Sequence, residues 1–131
     1  MSVLVDTSVW SLALRRTLPT ATVATELARL VHLDEALLIG PIRQEVLSGY
    51  SDQARFQKLL SKLAPFPNQR VEDEDYLTAA EFSNRARASG IQGSHIDFLI
   101  CAVAARLAVA IFSTDKDFEQ FATVLPIKLH R

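Results

Sequence analysis

Short apolar runs alternate along this chain with stretches of helical pattern, and that alternation restricts the fold more than any other feature. Strand-like segments are read at residues 2–6, 36–39, 109–113 and 124–129. The runs Val3-Leu4-Val5 and Leu37-Leu38-Ile39 carry no polar alternation, the pattern of strands buried on both faces. Between them lie helical segments at 8–14, from Pro19-Thr20 through Leu27, Leu30 and Val31, and from Pro41 towards Gly49. Proline suits a first helical turn because its missing N–H is not needed there. Further helices are expected at 52–63 with Asp52 as N-cap, from Glu72 to Ala88, at 95–107 behind Ser94, and at about 116–122. Pro65 and Pro67 mark a loop. Strands alternating with helices predict an α/β sandwich on a central, mainly parallel sheet of four to five short strands, in a single domain spanning 1–131.

Four carboxylates sit where these elements meet. Asp6 closes the first strand, and Glu45 lies a turn into the helix after the second. Asp97 is the only charged residue between Ile96 and Ala105, and Asp115 follows Ile111-Phe112-Ser113-Thr114. A carboxylate beside a core loses hydration, so each placement needs a cause. Capping is one. Asp6 can N-cap the following helix, Ser94-His95-Ile96-Asp97 has the form of a capping box, and Thr114-Asp115-Lys116-Asp117 repeats that form with Asp117 as the capping acid. Glu45 falls at the margin of an apolar face, an ordinary place for a solvated acid. The joint placement says more than any single residue. In parallel α/β sheets ligands bind beyond the carboxyl ends of the strands, where two strand ends and two helix starts can converge. Converging carboxylates need a counter-ion, and an all-oxygen set suits Mg²⁺ or Mn²⁺ rather than zinc. His32, His95 and His130 show no metal-ligand spacing.

Composition narrows the class. With 49% apolar and 22% charged residues, the chain is not of the disordered type. A net charge of −1 gives no whole-protein attraction to nucleic acid, so phosphate contacts have to come from a local patch. Arg55, Lys58 and Lys62 form one candidate stripe, equally readable as a solvated helix face. Arg15, Arg16, Arg43 and Lys116 are candidates for the rim of the acidic site. The single cysteine, Cys101, excludes an internal disulfide and reads as a core residue in a reducing compartment. The longest apolar run, residues 98–105, is too short to span a bilayer, so a soluble cytoplasmic protein is expected.

The motifs Asp6-Thr7-Ser8-Val9-Trp10, Glu45-Val46-Leu47-Ser48-Gly49, Asp97-Phe98-Leu99-Ile100-Cys101-Ala102 and Ser113-Thr114-Asp115-Lys116-Asp117-Phe118 follow one another along essentially the whole chain. In that order they resemble a PIN domain, and most closely the VapC-type toxin ribonucleases of type II toxin–antitoxin pairs. The resemblance implies a PIN-like three-layer fold and a Mg²⁺- or Mn²⁺-dependent endoribonuclease. It implies an acidic quartet of Asp6, Glu45, Asp97 and Asp115, with Asp6, Asp97 and Asp115 holding the metal. Asp117 matches a frequent fifth acid, and Ser8 and Ser113 match supporting hydroxyls. A cognate antitoxin and a homodimer are implied as partners, with RNA as substrate. Trp10, Leu12, Leu14 and the helix over 20–33 are candidate partner surface, although core packing accounts for most of them. The sequence departs from the pattern at Ala108, where relatives often carry glycine.

Other classes fit less well. A phosphate-receiving signalling module usually pairs acids after its first strand, yet Asp6 is followed by Thr7-Ser8. A haloacid-dehalogenase-like phosphatase needs a second Asp where Ser8 stands. A PIN domain serving RNA processing rather than toxicity keeps the same residues.

Overall fold

The computed structural model describes residues 1–15 and 21–131, so the expected helix opening at Pro19-Thr20 lies outside the described residues. Its centre is β1 (Val3–Val5), with all three residues buried. The strand β2 (Ala36–Ile39) pairs with it in parallel on one side, in the register Val3 to Ala36 and Leu4 to Leu37. On the other side lies β4 (Ala110–Phe112), also parallel, matching Val3 to Ala110 and Val5 to Phe112. The outer strands are β3 (Asn68–Gln69) beside β2 and β5 (Lys128–Leu129) beside β4, so the order is β3-β2-β1-β4-β5, all parallel. The chain thus builds outward from β1 to one edge and returns to build the other. The reversal puts a topological switch point between β1 and β4, where their carboxyl ends leave an open crevice.

Seven helices among the described residues link and cover the strands: α1 (Thr7–Arg15), α2 (Ala21–His32), α3 (Gly40–Leu47), α4 (Gln53–Leu63), α5 (Asp73–Ala88), α6 (His95–Leu107) and α7 (Asp117–Val124). The run from Phe98 to Ala104 in α6 is buried at every position, the mark of a helix enclosed on all sides. Against it packs α5, which buries Ala79, Phe82 and Ala86 at helical spacing. Trp10 is fully buried, donates Nε1–H to the Val5 carbonyl at 3.0 Å, and meets the Phe66 ring edge-on at 5.1 Å. It belongs to the core and is not available as partner surface.

Two segments differ from the sequence expectation. The proline loop at 65–67 leads into β3, whose two polar residues show no strand pattern; pairing with Leu38 and Ile39 is what makes them a strand. At the other edge the expected strand over 124–129 shrinks to Lys128–Leu129, because α7 runs on through Val124 and Leu125 packs into the core. Very short outer strands blunt the sheet edges against pairing with other chains. Ala108, which ends α6, sits in the left-handed region at φ 57°. Only glycine adopts that conformation without steric cost, which accounts for a glycine preference there.

The acidic run at 72–75 does more than complement a helix dipole. Asp75 is 1% exposed, accepts the Glu72 backbone N–H at 2.8 Å, and pairs with Arg106 of α6 at 2.9 Å. Burial acts to raise the Asp75 carboxyl, but Arg106 and the Glu72 backbone N–H together outweigh it and hold the carboxyl below its ordinary range. The folded value lies below the unfolded one, so the pair's contribution is complete above about pH 4 and is lost as pH falls through the folded value. Arg106→Met strands a buried charge and is expected to destabilise the protein by about 3 kcal/mol at neutral pH. Urea unfolding measures this, and the gap to wild type should narrow on acidification.

Candidate active site

The crevice between β1 and β4 is built by residues that continue both strands. The Asp6 backbone N–H donates to the Phe112 carbonyl at 2.8 Å, one step beyond the β1–β4 ladder, and this fixes Asp6 at the mouth of the switch point. The Asp6 carbonyl accepts from the backbone of Val9 and Trp10, so the same residue starts α1. Its Oδ2 accepts the Ser113 hydroxyl at 2.7 Å and the Ser8 hydroxyl at 2.9 Å. Those serines are tied in turn to the chain beyond β4: Ser8 Oγ accepts the Thr114 N–H, and Ser113 Oγ the Asp115 N–H, both at 3.0 Å. Asp6 is 6% exposed. Burial pushes its carboxyl above the ordinary range, and the two hydroxyls and the backbone N–H groups of Thr7 and Ser8 offset that only in part.

Asp97 reaches the crevice from the start of α6. It forms the full capping box with Ser94: Ser94 N–H to Asp97 Oδ2 at 3.0 Å, and Asp97 N–H to Ser94 Oγ at 3.1 Å. Gly93, just before the cap, packs against the core, and a Cβ there would fall 2.5 Å from a ring carbon of buried Phe121. Burial raises the Asp97 carboxyl, and the negative charges of Asp6 and Asp115 raise it further. Asp6, Asp97 and Asp115 therefore share one electrostatic environment. Cys101, one turn along α6, lies beneath it; burial and the charges of Asp97 and Asp6 push its thiol far up, and it is an inert core residue.

Asp115 is exposed, and its Oδ1 accepts the Asp117 N–H at 2.9 Å. Asp115, rather than Asp117, is thus the acid that receives a backbone donor at the start of α7. Asp117 is exposed beside it. Glu45 is exposed on α3, and its Oε1 accepts the Thr7 hydroxyl at 2.5 Å. Lys116 is exposed between Asp115 and Asp117. Arg43 is occupied elsewhere: its guanidinium donates to Asn68 Oδ1 at 2.9 Å, to the Leu63 carbonyl at 3.0 Å and to the Phe66 carbonyl, clamping the α4–β3 turn. Arg16 and the side chain of Arg15 lie outside the described residues. Arg55, Lys58 and Lys62 are exposed on α4. Sequence reasoning passed over Thr7 and Gly93. The only signal for Thr7 was a hydroxyl beside a strand-end acid, and none pointed to Gly93.

The donor set suits a hard divalent cation in charge and atom type: carboxylate oxygens around a buried Asp6, with Asp97 and Asp115 each giving one oxygen to a backbone N–H. The side chains do not close into a compact cage, since among the described residues no three or more His, Cys, Asp or Glu are grouped tightly enough to hold an ion directly. That spacing is compatible with Mg²⁺, which keeps several waters and needs only one or two direct carboxylates. An apolar cleft of about 550 Å³ lies between α3, α5 and α6, walled by Gln44, Tyr76, Ala79, Ile96 and Phe98; none of the acids lines it.

Residues 3–124 match the family model of the PIN domain. The chain belongs to the PIN domain family. Among curated relatives of this PIN domain, the VapC ribonuclease Mb1587 of Mycobacterium bovis is 33% identical over 126 residues, covering 93% of this chain and 92% of the relative. Ribonuclease VapC11 of Mycobacterium tuberculosis matches equally. Solved structures share the fold: FitAcB from Neisseria gonorrhoeae superposes with a TM-score of 0.80 at 18% identity, covering 98% of this chain and 96% of its own. VapBC2 from Rickettsia felis, bound to a promoter DNA fragment, gives 0.77 at 13%, covering 99% and 98%. The expected α/β fold with a parallel sheet is thus found. Among the described residues no helix is long and apolar enough to cross a membrane.

A carboxyl raised above its unfolded value disfavours the fold at neutral pH, and the penalty fades as pH falls towards 3.8. Asp6→Asn keeps an acceptor for both serines and removes the charge. In chelator at pH 7 it should melt a few degrees above wild type, as read by calorimetry, and the difference should shrink at pH 4.

Proposed function

We propose that this PIN domain, a single domain over 1–131, is a metal-dependent endoribonuclease acting in the cytoplasm as the toxin of a toxin–antitoxin pair. The observation that carries the reading is the shared environment of Asp6, Asp97 and Asp115 at the β1–β4 switch point, in a chain whose relatives are VapC ribonucleases. When bound by these three side chains, directly or through water, Mg²⁺ (or Mn²⁺) would supply a more acidic water and charge neutralisation on a phosphate. Ser8 and Ser113 hold the Asp6 carboxylate, and Asp117 supports Asp115. Glu45 orients the attacking water and takes its proton. The water oxygen bonds to phosphorus and the bond to the 3′ oxygen breaks; that oxygen takes a proton from solvent water, leaving a 5′-phosphate and a 3′-hydroxyl. Lys116 meets the RNA backbone at the rim, and the substrate is a structured RNA such as tRNA or rRNA. A cognate antitoxin blocks the crevice, and the chain forms a homodimer. The apolar cleft and the exposed Tyr76 and Leu77 beside it are the kind of surface that protein partners cover.

Cleavage of tRNA and rRNA in Mg²⁺, Mn²⁺ or chelator, with wild type and Asp97→Asn, tests the reading. Cleavage is expected with either ion, and none in chelator or in the variant. Wild-type cleavage persisting in chelator would sink the metal mechanism. Growth arrest on expression, relieved by the co-encoded partner, separates a toxin from an RNA-processing enzyme.

A further inference from the structure

Glu45 stands apart from the other acids. It comes from α3, on the β2 side of the sheet, and as an exposed, long side chain it loses rotamer freedom if it is to hold one position. Among the described residues, one side-chain hydrogen bond ties it to the crevice: the Thr7 hydroxyl, at 2.5 Å from its Oε1, the length of a charge-assisted hydrogen bond. Thr7 is well suited to the task. It is the first residue of α1, so no earlier turn of that helix offers a carbonyl to its hydroxyl, and capping at that end falls to Asp6. Its branched β-carbon restricts χ1 and so directs the hydroxyl. Its backbone N–H meanwhile lowers the Asp6 carboxyl. One residue therefore touches two acids that lie 39 positions apart in the sequence, Asp6 through its main chain and Glu45 through its side chain.

We propose that Thr7 is a positioning residue whose hydroxyl holds the Glu45 carboxylate in register with Asp6. This rests on the nuclease reading, in which Glu45 handles water and the three aspartates hold the ion. A merely structural tie between α1 and α3 would be served as well by the shape of the side chain as by its hydroxyl. The isostere Thr7→Val keeps the shape and removes the donor, whereas Thr7→Ser keeps the donor.

The test measures kcat and KM on an RNA that wild type cleaves, together with Mn²⁺ affinity by electron paramagnetic resonance. It uses Thr7→Val, Thr7→Ser, Glu45→Gln and the Thr7→Val/Glu45→Gln double variant. Thr7→Val should lower kcat by about tenfold to a hundredfold, with KM and Mn²⁺ affinity within about twofold of wild type. Thr7→Ser should recover most of the rate, and Thr7→Val should add no more than about twofold to the loss in Glu45→Gln. Wild-type kcat in Thr7→Val, or losses that multiply in the double variant, would overturn the proposal. So would a fall of about tenfold or more in the Mn²⁺ affinity of Thr7→Val, because Thr7 would then act through Asp6. Wild type that neither binds Mn²⁺ nor cleaves RNA would instead defeat the nuclease reading, and the role of Thr7 with it.

Discussion

An ionisable side chain at the end of a strand buried on both faces is the constraint around which this molecule is arranged. Asp6 follows directly on Val3-Leu4-Val5, and the sheet that buries those residues also strips water from the carboxylate. The fold answers with hydroxyls from two places, Ser8 on α1 and Ser113 beyond β4, which accept backbone N–H groups from the β4 side while donating to Asp6. The bonds that stabilise the acid thus also join α1 to the exit of β4. Even so, burial outweighs them and the carboxyl stays above its ordinary range. A group that disfavours the ion-free fold, placed where ligands bind in this architecture, is the pattern of a site kept for function rather than stability.

Capping and site chemistry prove to be compatible tasks for the same acids. Asp97 completes a capping box with one oxygen, and Asp115 receives a backbone N–H with one of its own. A helix start fixes the carboxylate rigidly and points it beyond the sheet, so capping delivers the positioning that a cation site needs. Seven consecutive buried residues of α6 follow Asp97, so the helix that carries it is anchored in the core.

Much of this was legible along the chain, for physical reasons that also show where legibility ends. Apolar runs marked β1, β2 and β4 because strands covered on both faces have no polar alternation. Local capping chemistry at Asp52, Ser94 and Asp97 placed α4 and α6 closely. β3 was hidden because Asn68 and Gln69 are strand only by virtue of their neighbour, and β5 was overdrawn because Val124 and Leu125 serve α7 and the core. Long-range partners were hidden too: Asp75 finds Arg106 at a separation of 31 residues, and Thr7 finds Glu45 at 38. Arg43 looked like a rim cation, yet it clamps carbonyls of the loop that Pro65 and Pro67 announce, a pairing across 20 and 23 positions that no local pattern shows.

The central claim is that the repulsion among Asp6, Asp97 and Asp115 is relieved by a divalent cation. The most direct measurement is the melting temperature of wild type and Asp97→Asn as Mn²⁺ is added to chelator-treated protein. Binding to the folded state alone stabilises it in a saturable way set by ion concentration over Kd. A saturable rise in wild type that is largely absent from Asp97→Asn is the predicted result. No rise in wild type, or an equal rise in both, would contradict it.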